Sequence, residues 1–208
     1  MPFRAVFFDL GGVVVGSPLH AIARYERDHG LPAGAINRVV VATAPHGAWS
    51  RLERGELHMG EFYPAFEADC AAAGHQVDGR RLMLGVAAAT VPHAGMLTAI
   101  RRLRASAIKV GAITNNWISE DEGTGAMKPL FDAFIESAVT GVRKPDPRIF
   151  ELACQALDVA PADAIFLDDI GMNCKAGRTF GFTTIKVTDP EVALAELATL
   201  VGLDLRAA

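Results

Sequence analysis

A single aspartate, Asp9, stands where an apolar run meets a pair of glycines. Phe7 and Phe8 precede it directly, and Gly11 and Gly12 follow shortly after it. An aspartate that leaves a buried strand for a glycine turn is partly desolvated and open to close approach by a ligand, so its carboxylate suits a nucleophile or a metal ligand. An ordinary β-turn, in which the aspartate caps glycine amides, explains these residues equally well when they are taken alone.

Two adjacent aspartates, Asp168 and Asp169, follow another apolar run, Ile165–Leu167. Neighbouring carboxylates at the end of a buried strand are costly unless a cation or amide groups compensate their charge. A hard divalent ion such as Mg²⁺, bound through one or two carboxylates together with water and phosphate oxygens, is the simplest compensation. Capping of a following helix by Asp169 is the weaker alternative. The pair therefore predicts a magnesium site.

A hydroxyl and two amides end a third apolar run, in the sequence Thr114-Asn115-Asn116. At the carboxyl end of a strand, such side chains and their backbone N–H groups can hold phosphate oxygens. Taken alone, the segment is better explained as a polar turn in the left-handed conformation, which asparagine tolerates.

Lys144 lies on a stiff segment. Pro145 keeps it out of the helical region of backbone space, while Asp146 and Pro147 have the residue types of an N-cap and of a first helical position. A lysine held extended just before a helix suits a fixed positive charge. The ordinary alternative is a solvated lysine.

These residues must be positioned by the surrounding elements, and the chain alternates between short apolar runs and helical patterns. Several of the runs are continuously apolar, as expected for parallel strands that are covered on both faces. The alternation predicts a doubly wound, Rossmann-like α/β sheet. The predicted strands are Ala5–Leu10, Val110–Thr114, Phe134–Ser137, Ala164–Leu167 and Thr183–Val187. The predicted helices between and after them are centred on Met96–Leu103, Pro147–Leu157 and Pro190–Leu200.

The segment 17–90 breaks this alternation. It has no convincing strand, but helical patterns cover His20–Asp28, Gly60–Ala73 and Arg80–Ala88. We expect a core domain of residues 1–16 and 91–208 and a helical cap domain of residues 17–90, inserted over the carboxyl edge of the first strand, where α/β proteins bind ligands. The aromatic residues of this segment fit either a substrate pocket or, more often, the core of the cap. They are Trp49, Phe62, Tyr63 and Phe66.

Composition narrows the class of protein. The chain has 208 residues, of which 50% are hydrophobic and 21% charged, with a formal net charge of −4. These values exclude a disordered chain, and the sequence has no basic cluster that would track nucleic acid. No apolar run reaches the length of a membrane helix, and the start lacks the apolar core of a signal peptide. Three cysteines without paired spacing favour a reducing compartment. We expect a cytoplasmic protein without nucleic-acid or membrane partners.

Taken together and in this order, the motifs resemble those of the haloacid dehalogenase superfamily. Asp9, Thr114, Lys144 and the pair Asp168-Asp169 match its four motifs, and the segment 17–90 resembles its first type of helical cap. The stretches TNNW, GVRKPDP and FLDDIGMN look most like the N-terminal phosphatase domain of soluble epoxide hydrolases and related domains fused to acyl-CoA dehydrogenases. The resemblance covers nearly the whole chain.

The resemblance implies a phosphatase that acts on a small phosphorylated substrate. Asp9 would attack the phosphoryl group and form an aspartyl-phosphate, which water then hydrolyses. Mg²⁺ would be held by the carboxylates of Asp9 and Asp169 and by the backbone carbonyl of Gly11. We expect a monomer or a homodimer.

The resemblance also assigns the remaining polar groups. Thr114 and the amide of Asn115 would bind phosphate oxygens. Lys144 would neutralise the crowded negative charge and contact the phosphate, while Asp168 would orient Lys144 or a metal-bound water. Phosphoryl transfer depends chiefly on positioning and on charge neutralisation, and this set of residues supplies both.

The chain departs from the superfamily pattern at one position. Phosphatases of this superfamily usually carry a second aspartate two residues after the nucleophile, as general acid and base, and this chain has Gly11 there. A positioned acid or base contributes about 10²–10⁴-fold, so we expect a weak enzyme that favours good leaving groups. His20 is the nearest titratable replacement, although a surface position is the more ordinary role for it.

Two alternatives to a phosphatase stay open. A catalytically inactive binding module would explain Gly11, but four costly polar groups (Asp9, Thr114, Lys144 and Asp169) are unnecessary in a dead site. A metal-independent haloacid dehalogenase also starts from an aspartate nucleophile. The adjacent carboxylates of Asp168 and Asp169 count against it, because extra negative charge impedes that reaction.

Overall fold

The computed structural model describes residues 3–118 and 123–206. Within them, five parallel strands form one sheet in the order β3-β2-β1-β4-β5. The strands are β1 (Ala5–Phe8), β2 (Lys109–Thr114), β3 (Ala133–Glu136), β4 (Ala164–Asp168) and β5 (Thr183–Lys186). The doubly wound α/β fold is confirmed, and each predicted strand lies within two residues of the observed one at both ends.

The register of the central strands sets their carboxyl ends level. Phe8, the last residue of β1, pairs with Ala112 of β2 on one side and with Leu167 of β4 on the other. Asp9 therefore leaves the sheet at the same edge as the ends of β2 and β4.

Helices cover both faces of the sheet. The helices outside the segment 17–90 are α6 (Ala94–Ala105), α7 (Ser137–Thr140), α8 (Pro147–Leu157), α9 (Gly171–Phe180) and α10 (Pro190–Val201). Val6 and Phe8 pack with α6 and α10 on one face, while Ala5 and Phe7 pack with α8 on the other, as the alternation of side chains along a strand requires. Two short 3₁₀ helices span Gly123–Leu130 and Pro161–Asp163.

The predicted helix starts are confirmed at α8 and α10. The Asp146 carboxylate accepts a hydrogen bond from the backbone N–H of Arg148, and Asp189 caps α10 in the same way. Proline is the first residue of both helices, where its missing N–H costs nothing.

Residues Pro18–Ala88 form five helices, which we call the cap. They are α1 (Pro18–Asp28), α2 (Ala35–Thr43), α3 (Ala48–Glu53), α4 (Met59–Ala72) and α5 (Gly79–Ala88). They share one hydrophobic cluster, in which Trp49, Phe62 and Phe66 are buried and Tyr63 is partly buried. The cap aromatics therefore belong to the cap's own core. The helices α2, α3, α7 and α9 were not predicted.

The chain passes between core and cap at two neighbouring points. Val15 bridges to Pro92, and the backbone N–H of Gly16 donates to the carbonyl of Val91 at 3.0 Å.

Within the described residues, no helix has both the length and the apolar composition that a membrane span needs.

Candidate active site

The Lys144 ammonium lies between two buried aspartates. Its Nζ is 2.8 Å from Asp9 Oδ1 and 2.7 Å from Asp168 Oδ2. Only 1% of the Lys144 side chain and none of the Asp168 side chain is exposed. Water cannot solvate these charges, so their mutual pairing fixes the geometry.

Asp168 is bound on both of its oxygens. The Asn173 amide Nδ2 lies 3.1 Å from each of them, and the backbone N–H of Ile170 donates to Oδ1 at 2.8 Å. With Lys144 on Oδ2, the carboxylate is saturated by donors. Sequence reasoning missed Asn173, although it lies within the motif FLDDIGMN, because the helix α9 that carries it was not predicted.

Asp169 faces Gly12 and Ser17. A Cβ on Gly12 would lie 2.1 Å from Asp169 Oδ2, and Gly12 has a φ of +77°, so both space and backbone conformation require glycine there. Ser17 Oγ donates to Oδ2 at 3.3 Å. Burial and the neighbouring charge of Asp168 raise the pKa of Asp169 to about 6, and Lys144 opposes the rise.

The carboxylate of Asp9 is buried near two further negative charges, those of Asp168 and Asp169. The backbone N–H of Leu10 donates to Oδ1 at 2.7 Å, on the same oxygen that Lys144 contacts. Burial is the largest cause that raises the pKa of Asp9 to about 8, and the charges of Asp168 and Asp169 add to it. Lys144 lowers this pKa, but not enough to restore an ordinary value.

Carboxylate oxygens of three aspartates meet in a cluster of the kind that can hold a divalent cation. One carboxylate oxygen from each of Asp9, Asp168 and Asp169 lies within 4.8 Å of the others. Lys144 contacts two of them, so one ammonium serves three carboxylates that lie close together. Burial is the largest cause that raises the pKa of Asp9 and of Asp169, the neighbouring carboxylates add to it, and Lys144 opposes it. Oxygen ligands with surplus negative charge are what Mg²⁺ requires.

The polar residues at the end of β2 and directly after it have different surroundings. Thr114 ends β2 and is 3% exposed. The side chain of Asn115 binds the backbone of Lys144 twice: Oδ1 accepts from its N–H at 2.8 Å, and Nδ2 donates to its carbonyl at 3.0 Å. Both ends of the Asn115 side chain are therefore already hydrogen-bonded. The prediction that Asn115 binds a phosphate oxygen now rests on its backbone N–H. Asn116 binds Glu136 and Ser137 instead.

Gly11 and His20 lie on either side of Pro18. A Cβ on Gly11 would lie 3.0 Å from Pro18 Cδ, so the first turn of α1 occupies the space where an aspartate side chain would begin. His20 is exposed on α1. An exposed position matches the ordinary role that the sequence suggested for it.

Asp9 follows the central strand β1, the pair Asp168-Asp169 stands at the end of the neighbouring strand β4, and Lys144 lies between α7 and α8. This arrangement defines an α/β protein with an aspartate-rich candidate site. A profile described as haloacid dehalogenase-like hydrolase matches residues 3–181, and the chain belongs to that family.

Relatives with similar sequences include fused mammalian proteins and a fungal phosphatase. The chain is 36% identical over 208 residues to acyl-CoA dehydrogenase family member 10 of Mus musculus and 31% identical over 222 residues to bifunctional epoxide hydrolase 2 of Sus scrofa. Those matches cover 98% and 99% of this chain but only 20% and 40% of the relatives. A sesquiterpene phosphatase of Aspergillus oryzae is 27% identical, with 96% of this chain and 97% of that protein covered.

Solved structures share the fold. A HAD-like hydrolase from Porphyromonas gingivalis superposes with a TM-score of 0.71 at 19% identity, with 98% and 100% of the two chains covered. A HAD family enzyme from Bacteroides thetaiotaomicron, in complex with magnesium and inorganic phosphate, gives 0.63 at 18% identity, with 88% and 93% covered.

Proposed function

We propose that the protein is a Mg²⁺-dependent phosphatase that acts on a small phosphorylated substrate through an aspartyl-phosphate on Asp9. The observation that carries the proposal is the buried arrangement of Asp9, Lys144 and Asp168, with Asp169 beside it. The fungal relative that is named a phosphatase supports the activity, and the related enzyme in complex with magnesium and phosphate supports the cofactor.

Asp9 is the nucleophile of this proposal. Two donors on its Oδ1, from Leu10 and Lys144, orient the carboxylate. An oxygen of Asp9 forms a bond to phosphorus while the ester oxygen leaves with the bonding electrons. Water then attacks the phosphorus, which frees the Asp9 carboxylate and releases inorganic phosphate.

The other groups balance charge around phosphorus. Lys144 stabilises the negative charge that the phosphoryl oxygens carry, and Asp168, saturated by its own donors, holds Lys144 in place. The residues that would hold Mg²⁺ are Asp9, Asp169 and the carbonyl of Gly11. When bound, the ion supplies positive charge for the phosphate and the Asp9 carboxylate.

Gly11 shapes the substrate preference. With no carboxyl group at this position, the leaving oxygen must depart without a proton from the usual acid. Aryl and acyl phosphates leave readily as anions, whereas alkyl phosphates do not. We therefore propose that the protein turns over aryl and acyl phosphates faster than alkyl phosphates. The ratio of the two rates should approach the factor of about 10²–10⁴ that a positioned acid contributes.

A panel of phosphate esters tests the proposal. p-Nitrophenyl phosphate, acetyl phosphate and sugar phosphates are assayed with Mg²⁺ and with a chelator, and inorganic phosphate is measured. We expect hydrolysis that requires Mg²⁺ and is strongest for the first two. Asp9→Asn is the matched control: circular dichroism should be unchanged and turnover abolished, because the amide cannot attack phosphorus.

Three outcomes would contradict the proposal. Hydrolysis that survives chelation argues against the metal. Metal-independent release of chloride from 2-chloropropionate supports a dehalogenase, and solved dehalogenases share this fold. Binding of phosphate without turnover of any ester supports an inactive module.

A further inference from the structure

Glu53 of the cap and Arg143 of the core form an ion pair that the proposed chemistry does not use. Arg143 Nε lies 2.6 Å from Glu53 Oε2, and the two side chains are 23% and 10% exposed. Each of these two atoms has the other as its charged partner, and Arg143 opposes the burial that raises the pKa of Glu53. A buried ion pair adds little net stability compared with an apolar pair of similar size. It therefore calls for another explanation.

Further contacts of α3 surround this pair. Trp49 Nε1 donates to Glu53 Oε1 at 3.0 Å, and Arg143 Nη1 donates to Ser50 Oγ at 3.1 Å. The Trp49 ring also meets the ring of Trp117, on the loop after β2, with centroids 6.4 Å apart. Through these contacts α3 meets two of the loops that surround the site.

The backbone after α3 also lies close against the core. Gly55 has a φ of +71°, and a Cβ there would lie 2.3 Å from the carbonyl oxygen of Ala138 in α7. Both the side chains and the end of α3 therefore fix its position on the core.

Arg143 is joined directly to Lys144. Lys144 reaches Asp9, whereas the preceding side chain reaches Glu53 of the cap. The two residues stand in a turn in which the backbone N–H of Asp146 donates to the carbonyl of Arg143 at 2.9 Å. Asn115 binds both the N–H and the carbonyl of Lys144. Arg143 and Lys144 share a peptide bond within this turn, so a displacement of the Arg143 backbone loads the hydrogen bonds that fix Lys144.

Resting on the proposed phosphatase function, we propose that Glu53 and Arg143 are positioning residues that make the seat of the cap and the placement of the Lys144 ammonium depend on each other. An apolar contact between two helices slides at little cost, whereas the fork of a guanidinium fixes direction as well as distance. The pair thus sets one position of α3 relative to the loop that ends in Lys144.

The two tryptophans of the chain allow the position of α3 on the core to be followed by fluorescence, without an activity assay. The sequence contains only Trp49 and Trp117, and both lie at the junction. Intrinsic fluorescence therefore reports the contact between α3 and the loop after β2. Glu53→Gln keeps an oxygen acceptor for Trp49 and removes the charge, so a spectral change in this variant reports the ion pair.

The experiment is a double-mutant cycle with Glu53→Leu, Arg143→Met and the double variant that combines these two substitutions, and Glu53→Gln is measured beside the cycle. Each single variant leaves a polar or charged group without its partner, while the double variant replaces the pair by apolar groups. The melting temperature of each variant is measured first. Emission, and kcat and KM for p-nitrophenyl phosphate, are then measured well below that temperature. Arg51→Met is the matched control, because Arg51 lies on the same helix in an exposed pair with Glu56.

We expect each single variant to shift the emission and to lower kcat by about 10- to 100-fold, as a small misplacement of a charged group does, with KM nearly unchanged. The double variant should recover part of both losses, and Arg51→Met should match the wild type. Equal losses that simply add in the double variant would mean that each residue acts on its own and would overturn the proposal. So would variants that melt earlier but keep the kcat of the folded wild type.

The proposed function can fail separately. If the wild type hydrolyses no phosphate ester, the phosphatase proposal is wrong, and the emission cycle still decides the pair. Non-additive emission changes support coupling between α3 and the Lys144 loop, and additive or absent changes overturn it.

Discussion

Asp168 and Asp169 face different surroundings at the end of β4. Asp168 is fully buried and receives donors from Lys144, Asn173 and the backbone of Ile170. Asp169 is partly exposed and has the Ser17 hydroxyl as its side-chain partner. A carboxylate saturated by donors has few lone pairs left for an ion, so Asp169 is the member of the pair that suits metal binding and Asp168 the one that fixes Lys144.

Substitution of Gly11 by aspartate tests what the missing acid costs. The new Cβ would lie 3.0 Å from Pro18 Cδ, so the start of α1 must move by a few tenths of an ångström. We expect Gly11→Asp to fold with a slightly lower melting temperature. Its turnover of alkyl phosphates should rise by about 10-fold or more, bounded above by the roughly 10²–10⁴-fold that a positioned acid contributes, while aryl phosphates gain little. Steady-state rates on both classes measure this.

Gly12→Ala is the matched control for that substitution. Its Cβ would collide with Asp169 and its φ of +77° strains any L side chain, so Mg²⁺-dependent activity should fall. A Gly11→Asp variant that folds, binds Mg²⁺ and accelerates neither class of ester would show that proton transfer to the leaving group is not limiting.

At the scale of elements, the strands were predictable because they are continuously apolar and end in polar groups. The short helix α3 was not. It has six residues and no side-chain cap of its own, and its first N–H is satisfied by Asp69 of α4 at 2.8 Å. That contact joins residues 21 positions apart in the sequence, so no local pattern shows it.

The same limit applies to the candidate site. Asp9, Lys144 and the pair Asp168-Asp169 come together because the carboxyl ends of parallel strands share one edge, which the alternation of strand and helix predicts. The side-chain role of Asn115 was not predictable, because its partner is the backbone of a residue 29 positions away.

Asn115 is an element-level tether between the end of β2 and the segment before α8. Asn115→Ala removes both hydrogen bonds to the Lys144 backbone, so we expect the ammonium to lose its fixed position and kcat to fall by about 100-fold. Kinetics at a temperature where circular dichroism shows full folding measure this loss. Arg148→Ala, which removes an exposed side chain near the same segment, should keep the wild-type rate. An unchanged kcat in Asn115→Ala would exclude the tether.

At the scale of the whole molecule, the fold holds negative charge in its interior. Two central strands, β1 and β4, lead into carboxylates at one edge of the sheet. The cap adds the buried Glu53, whose pKa is raised by burial and lowered by the nearby charge of Arg143. Groups that lose protons less readily when folded make the stability of the protein depend on pH and on cations.

The metal-free protein should lose stability as pH rises from about 5 to 9. In the folded state the pKa of Asp9 is about 8 and that of Asp169 about 6, both above the ordinary aspartate pKa of 3.8 that holds in an unfolded chain. Over that range the folded state keeps protons that the unfolded state has released, so the free energy of unfolding falls with pH. Mg²⁺ needs deprotonated ligands, so its stabilising effect should grow as pH rises. Thermal unfolding from pH 5 to 9, with and without Mg²⁺, measures both trends.

Asp9→Asn is the control for the titration of Asp9: it should flatten the loss of stability in the metal-free protein, because the amide does not titrate. An equal stabilisation by Mg²⁺ at pH 5.5 and at pH 8.5 would show that these carboxylates do not bind the metal.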